Sequence, residues 1–121
     1  MGRPQILCLT PVKNEDWILD RFLRCSSLWA DRIIILDDRS SDDSREIANS
    51  FSKVRLITNE SDKGGNIPRF SALLHAAREE GDRNILIRID ADEVISANVL
   101  SSPAWQRIYT LQRGTRIFSD L

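Results

Sequence analysis

The sequence predicts an α/β fold in three layers: a mostly parallel sheet with helices on both of its faces. Three observations support this. Four short apolar runs rich in Ile, Leu and Val recur along the chain, helically spaced apolar residues fill the intervals between them, and each run closes on polar or turn-forming residues. Continuous apolar runs of that length suit strands buried on both faces of a parallel sheet.

The first strand is expected over residues 6–9 (ILCL), closed by Thr10 and Pro11. Asn14 is a candidate N-cap, with Glu15 and Asp16 complementing the dipole of a first helix. In that helix Ile18, Phe22, Cys25 and Trp29 recur at helical spacing and are expected to face the sheet. Residues 33–36 (IIIL) form the second strand and end at Asp37 and Asp38. Asp43 and Glu46 have the spacing of a capping box for a second helix running to Phe51. Residues 54–57 (VRLI) form the third strand. A third helix is expected with Asn66 as its cap, Pro68 in its first turn, Ile67, Phe70, Leu74 and Ala77 as its apolar stripe, and Gly81 as its stop. Residues 85–89 (ILIRI) form the fourth strand and end at Asp90. A β-α-β-α-β-α-β order implies right-handed crossovers. Beyond Asp92 the pattern weakens to a helical turn over 94–100 and a hairpin over 108–118. The chain reads as one domain, 1–121, with a core over 1–100 and a tail over 101–121.

With 121 residues, 41% of them hydrophobic, and a formal net charge of −1, the composition is that of one soluble domain and not of a nucleic-acid binder. Arg107, Arg113 and Arg116 make the tail locally basic without building a stripe. No apolar run approaches the roughly 20 residues that span a bilayer. Cys8 and Cys25 sit in apolar stretches and read as thiols of a reducing compartment, so a cytoplasmic location is expected.

The informative residues are acids at strand ends, because open parallel sheets bind ligands outside the carboxyl ends of their strands. Asp90 and Asp92 are two apart, so in an extended segment both carboxylates reach one side. Hard oxygens of that kind suit Mg²⁺ or Mn²⁺, which keep waters and share phosphate oxygens. An EF-hand counted from Asp90 fails, since its glycine position holds Ile95 and its closing glutamate position holds Ser101. Asp37 and Asp38 lie at the mouth of the second strand, where a carboxylate can accept a hydrogen bond from a base N–H or a ribose hydroxyl. Asp42 and Asp43 suit a structural role at a helix start. His75 falls on the polar side of the third helix, and Trp17, Trp29 and Trp105 read as packing residues.

Residues 6–14 (ILCLTPVKN), 33–43 (IIILDDRSSDD), 64–77 and 87–93 (IRIDADE) resemble the family 2 glycosyltransferases of the GT-A, Rossmann-like fold, in the family's order and spacing. The resemblance implies roles at matching positions. Thr10, Pro11 and Val12 would line the nucleotide base, with Glu15 beside them. Asp38, with Asp37 as its neighbour, would accept a hydrogen bond from the base. Arg69, after the loop at 63–66, would approach the nucleotide or diphosphate. Asp90 would face the ribose or sugar, and Asp92 would ligate the Mn²⁺ or Mg²⁺ bridging the diphosphate of a UDP-, GDP- or dTDP-linked donor. The sugar would pass to an acceptor hydroxyl.

Two departures accompany the resemblance. Phe70 follows Arg69 where the family often carries Asn. Inverting members also take a catalytic carboxylate from a later segment, whereas Asp120 is the sole acid between Val94 and Leu121. The expectation is therefore a donor-binding part without its acceptor half, binding a nucleoside diphosphate with metal but transferring little. Trp105, Ile108, Tyr109 and Ile117 would be left uncovered and drive self-association. Two alternatives stand beside this reading. One is a non-catalytic nucleotide-sugar-binding remnant. The other is a phosphotransferase of the haloacid-dehalogenase type, with Asp90 as the nucleophile.

Overall fold

The computed structural model describes residues 4–59, 66–81 and 83–92, with backbone alone for 66–68. The loop at 63–65, the turn over 94–100, the hairpin over 108–118, Asp120 and the apolar residues Trp105, Ile108, Tyr109 and Ile117 lie outside the described residues.

The elements follow in the expected order: β1 (Gln5–Val12), α1 (Asp16–Ser26), β2 (Arg32–Asp37), α2 (Ser44–Asn49), β3 (Val54–Thr58), α3 (Asn66–Glu79) and β4 (Asn84–Arg88). The strands form one sheet in the order β3-β2-β1-β4, and every pair is parallel.

Strand alternation divides the core in two. Ile6, Cys8 and Val12 of β1, with Ile33 and Ile35 of β2, pack against Leu19, Phe22 and Leu23 of α1 and Ala48 of α2. Leu7, Leu9, Ile34 and Leu36 point to the opposite face and meet Leu73, Ala76 and Ala77 of α3. Helices therefore cover both faces, which makes the three layers. Full burial of each large side chain here contributes about 1.5–3 kcal/mol.

Burial on both faces holds for the central strands β1 and β2 but not for the outer ones. β3 is half-buried throughout, and Leu86 and Arg88 of β4 are exposed. The physical reason is strand order, since β3 and β4 each have one strand neighbour among the described residues. Arg55 of β3 accordingly lies against α3, donating to the Ala76 carbonyl and pairing with Glu80 at 3.2 Å.

The helix faces also differ from expectation. α1 buries Leu19, Phe22, Leu23 and Ser26, while Ile18 and Cys25 are half-buried. Trp29 is buried beyond the end of the helix, but Trp17 is 72% exposed and packs nothing into the core. In α3 the buried stripe is Leu73, Ala76 and Ala77, where two alanines allow the helix to lie close to the sheet, and Phe70 is left exposed. α3 ends before Gly81, whose φ of +140° disfavours any side chain. Asn84 seals this corner by donating to the carbonyls of Ala77 and Gly81. His75 is exposed, as expected of a solvated position. Both cysteines are free, and burial pushes the Cys8 thiol up to about 12 despite its hydrogen bond with Ser26, so it is inert. Among the described residues no helix is long and apolar enough to cross a membrane.

Candidate functional site

The carboxyl ends of the strands deliver the candidate residues, and two loops fix their positions. Val12 of β1 is in register with Asp37 of β2, so the segments that follow them run side by side. The sheet then extends by one residue on each side, with Asp38 N–H donating to the Val12 carbonyl and Asn59 N–H to the Asp37 carbonyl, both at 2.8 Å.

Beyond this point residues 13–16 and 40–44 are zipped together. Asn14 sits at a positive φ of 51°, a conformation asparagine tolerates better than most residues. There its Oδ1 accepts the N–H groups of Ser41 at 2.8 Å and Asp42 at 3.3 Å, while its own N–H donates to Ser40 Oγ at 2.9 Å. Asn14 is therefore not the N-cap of α1. That position belongs to Glu15, whose side chain makes no capping bond. The first N–H groups of α1 are satisfied from the other loop, Glu15 N–H by Ser44 Oγ at 2.9 Å and Asp16 N–H by Asp42 Oδ2 at 3.0 Å. Likewise Asp43 precedes α2 without a side-chain cap, so the capping box with Glu46 does not form. Asp42 accepts the Ser44 N–H there instead.

Asp37 and Asp38 are consecutive and so point to opposite faces of the sheet. Asp37 turns toward α2, buried, accepting the Ser40 N–H at 3.2 Å and pairing with Arg45 at 3.5 Å. Asp38 turns toward α3. Its Oδ1 accepts from the Asn59 side-chain amide at 2.9 Å and its Oδ2 from Arg69 at 2.7 Å. The Asn59 hydrogen bond, more than the Arg69, Lys13 and Arg39 charges, holds the Asp38 carboxyl below its ordinary range against the effect of burial.

The same alternation governs the segment after β4. Ile89 and Ala91 are buried in the core, while Asp90 and Asp92 are exposed between and beyond them. Both carboxylates line a cleft of about 430 Å³ together with Pro11, Val12, Lys13, Glu15, Asp38, Arg69 and Arg88. Burial, and then repulsion from Asp92, Asp90 and Asp42, raises the Glu15 carboxyl above its ordinary value. Acids from three strand ends thus share one cleft with three cations. Among the described residues no three His, Cys, Asp or Glu side chains form a ready-made metal-ligand group.

Of the residues expected from sequence, Pro11, Val12, Glu15, Asp38, Arg69, Asp90 and Asp92 line this cleft, whereas Thr10 and Asp37 do not. Thr10 is fully buried, with its Oγ1 unpartnered among the described residues. Sequence reasoning missed Lys13, Arg88 and Asn59. The signal for Arg88 was a charge interrupting the otherwise apolar run at 85–89.

The sequence model described as Glycosyl transferase family 2 matches residues 8–107. Among solved structures, glucosyl-3-phosphoglycerate synthase from Mycobacterium tuberculosis, in complex with phosphoglyceric acid, is similar with a TM-score of 0.56 and 22% identity, over 90% of this chain and 40% of that one. A mycobacterial protein is similar with a TM-score of 0.53 and 21% identity, over 75% of this chain and 32% of that one. At such identities the likeness establishes the fold, which is of the GT-A type, and this chain spans less than half the length of either structure. No curated protein matches it.

Proposed function

Because the chain belongs to glycosyl transferase family 2, we propose that the cleft at its strand ends binds a nucleoside-diphosphate sugar with a divalent cation, for transfer of the sugar to an acceptor hydroxyl. One observation carries this reading: Asp38 at the end of β2 and Asp92 after β4 open into the same cleft, with Lys13, Arg69 and Arg88 among its walls.

Each residue has a task its surroundings allow. Pro11 and Val12 offer an apolar wall for the base. Asp38 stays ionised through Asn59 and Arg69, and a carboxylate has lone pairs left to accept a base N–H. Its pairing with Arg69 also holds that guanidinium in place at the cleft. Asp90 faces the ribose or sugar. Asp37 supports the site from within by tying down the turn at Ser40.

The donor set fits Mn²⁺ or Mg²⁺. Asp90, Asp92 and Glu15 bring hard oxygens whose mutual repulsion a cation would relieve. An ion such as Mg²⁺ is held through one or two protein carboxylates, with its remaining ligands from substrate phosphate and water. Asp92 would hold the ion, which when bound supplies Lewis-acid stabilisation of the departing diphosphate. The two free thiols, one buried and one half-buried, support a cytoplasmic setting. The family match lends nothing to the phosphotransferase alternative with Asp90 as nucleophile.

Calorimetric titration with UDP, GDP and dTDP, each with and without MnCl₂, tests the proposal. One nucleotide is expected to bind, at least ~10-fold tighter with Mn²⁺, on the scale of one lost charge-assisted contact. Binding of none, or equal binding with and without the metal, would overturn it.

A further inference from the structure

The three cations of the cleft are not equivalent. Arg69 is committed to Asp38 at 2.7 Å, and Lys13 is a point charge on a flexible stem. Arg88 is placed by the sheet: it pairs in register with Leu9 of β1, and its neighbours Ile87 and Ile89 pack with the opposite face. Its side chain therefore lies on the α3 side, where its guanidinium carbon sits 5.6 Å from the centroid of the Phe70 ring. Among the described residues no carboxylate forms a salt bridge with Arg88.

This geometry has a chemical consequence. A guanidinium held beside an aromatic ring need spend no N–H donor on a carboxylate there, and its planar fork matches phosphate oxygens two at a time. Phe70, 39% exposed on α3, belongs to neither core cluster and serves as the brace beside Arg88. We propose that Arg88, braced by Phe70, is a diphosphate-binding residue of the cleft, gripping phosphoryl oxygens of the donor. The inference rests on the donor-binding reading above and adds to it a residue pair that fixes where the diphosphate lies relative to Asp90 and Asp92.

The test compares wild type with Arg88→Ala, Arg88→Lys and Phe70→Leu by calorimetry in MnCl₂. The probes are whichever of UDP, GDP and dTDP wild type binds, and the matching nucleoside. Far-UV circular dichroism and urea midpoints establish that each variant is folded. Arg88→Ala is expected to weaken nucleoside diphosphate binding ~10-fold or more, the scale of charge-assisted hydrogen bonds, and to leave nucleoside binding unchanged. Arg88→Lys keeps the charge but not the fork and should fall between. Phe70→Leu removes the ring and should weaken diphosphate binding ~2–5-fold, as loss of an exposed cation–π contact would. Diphosphate binding unchanged in Arg88→Ala, or an equal loss of nucleoside binding, overturns the assignment. If wild type binds no nucleotide, the donor-site reading itself fails, a result distinct from any difference among variants. Should Arg88→Ala not fold, the ordering of Arg88→Lys and Phe70→Leu decides, and equality of both with wild type refutes the role.

Discussion

Replacing Asn14 with alanine and with glycine separates two contributions that one residue makes to the site. The side chain accepts hydrogen bonds from Ser41 N–H at 2.8 Å and Asp42 N–H at 3.3 Å, with a longer contact from the Ser41 hydroxyl at 3.4 Å. One short bond and two long ones in an exposed loop are together worth about 1 kcal/mol. The backbone sits at φ 51°, where alanine costs about 1 kcal/mol more and glycine nothing. Asn14→Ala should therefore lose about 2 kcal/mol and Asn14→Gly about 1 kcal/mol. With a urea m-value of about 1–2 kcal/mol/M, the midpoint falls by roughly 1–2 M for alanine and half that for glycine. Urea unfolding followed by Trp fluorescence reads this, since Trp29 is buried. Both variants should also weaken nucleotide binding, because residues 13–16 and 40–44 flank Glu15 and Asp38. Glycine as damaging as alanine would refute the strain contribution, and no shift in either would refute the zipper.

Further substitutions probe the charges. Glu15 has a carboxyl raised first by burial and then by Asp92, Asp90 and Asp42. A raised carboxyl destabilises the folded state once ionised, so Glu15→Gln should raise the melting temperature near pH 7, with the gain vanishing in acid below the ordinary glutamate range. Asp38 shows the opposite sign: its lowered carboxyl contributes stability above the ordinary aspartate range that is lost as pH falls through the depressed value. Asp38→Asn should cost about 1–3 kcal/mol at neutral pH, read as a urea midpoint, and weaken nucleotide binding as well. Asp37→Asn should lower stability through Ser40 and Arg45 by about 1 kcal/mol, with nucleoside affinity falling less than in Asp38→Asn. Phe22→Ala, in the core between α1 and the sheet, should cost about 3–5 kcal/mol, measured the same way.

Most of the fold was legible because the strands announce themselves. ILCL and IIIL are continuous apolar runs, as strands covered on both sides must be. Nothing in VRLI or ILIRI says that each of these strands has a single strand neighbour among the described residues, because strand order is not encoded in any local pattern. The same limit explains Asn14. A local rule places it as a cap, while the groups that satisfy α1, on Ser44 and Asp42, are 29 and 26 residues away. In α3, apolar residues at 67, 70, 72, 73, 74, 76 and 77 permit more than one stripe, and the sheet selects the one with alanines at the contact. Acids were conspicuous at strand ends, and Glu15, Asp38, Asp90 and Asp92 line the cleft. Lys13 was overlooked because a lone cation carries no pattern until the fold supplies its neighbours, and the charge inside ILIRI that marks Arg88 does not say what that side chain meets. Asp37 was paired with Asp38 by adjacency, but the pleat sends adjacent side chains apart.

Electron paramagnetic resonance of Mn²⁺ addresses most directly whether carboxylates from different strands serve one cation-bound diphosphate. In the presence of the nucleoside diphosphate, wild-type protein should take up Mn²⁺ beyond what the nucleotide alone removes, and Asp92→Asn should cut that uptake ~10-fold or more. Undiminished uptake by Asp92→Asn, or uptake by wild type that is indifferent to the nucleotide, would contradict it.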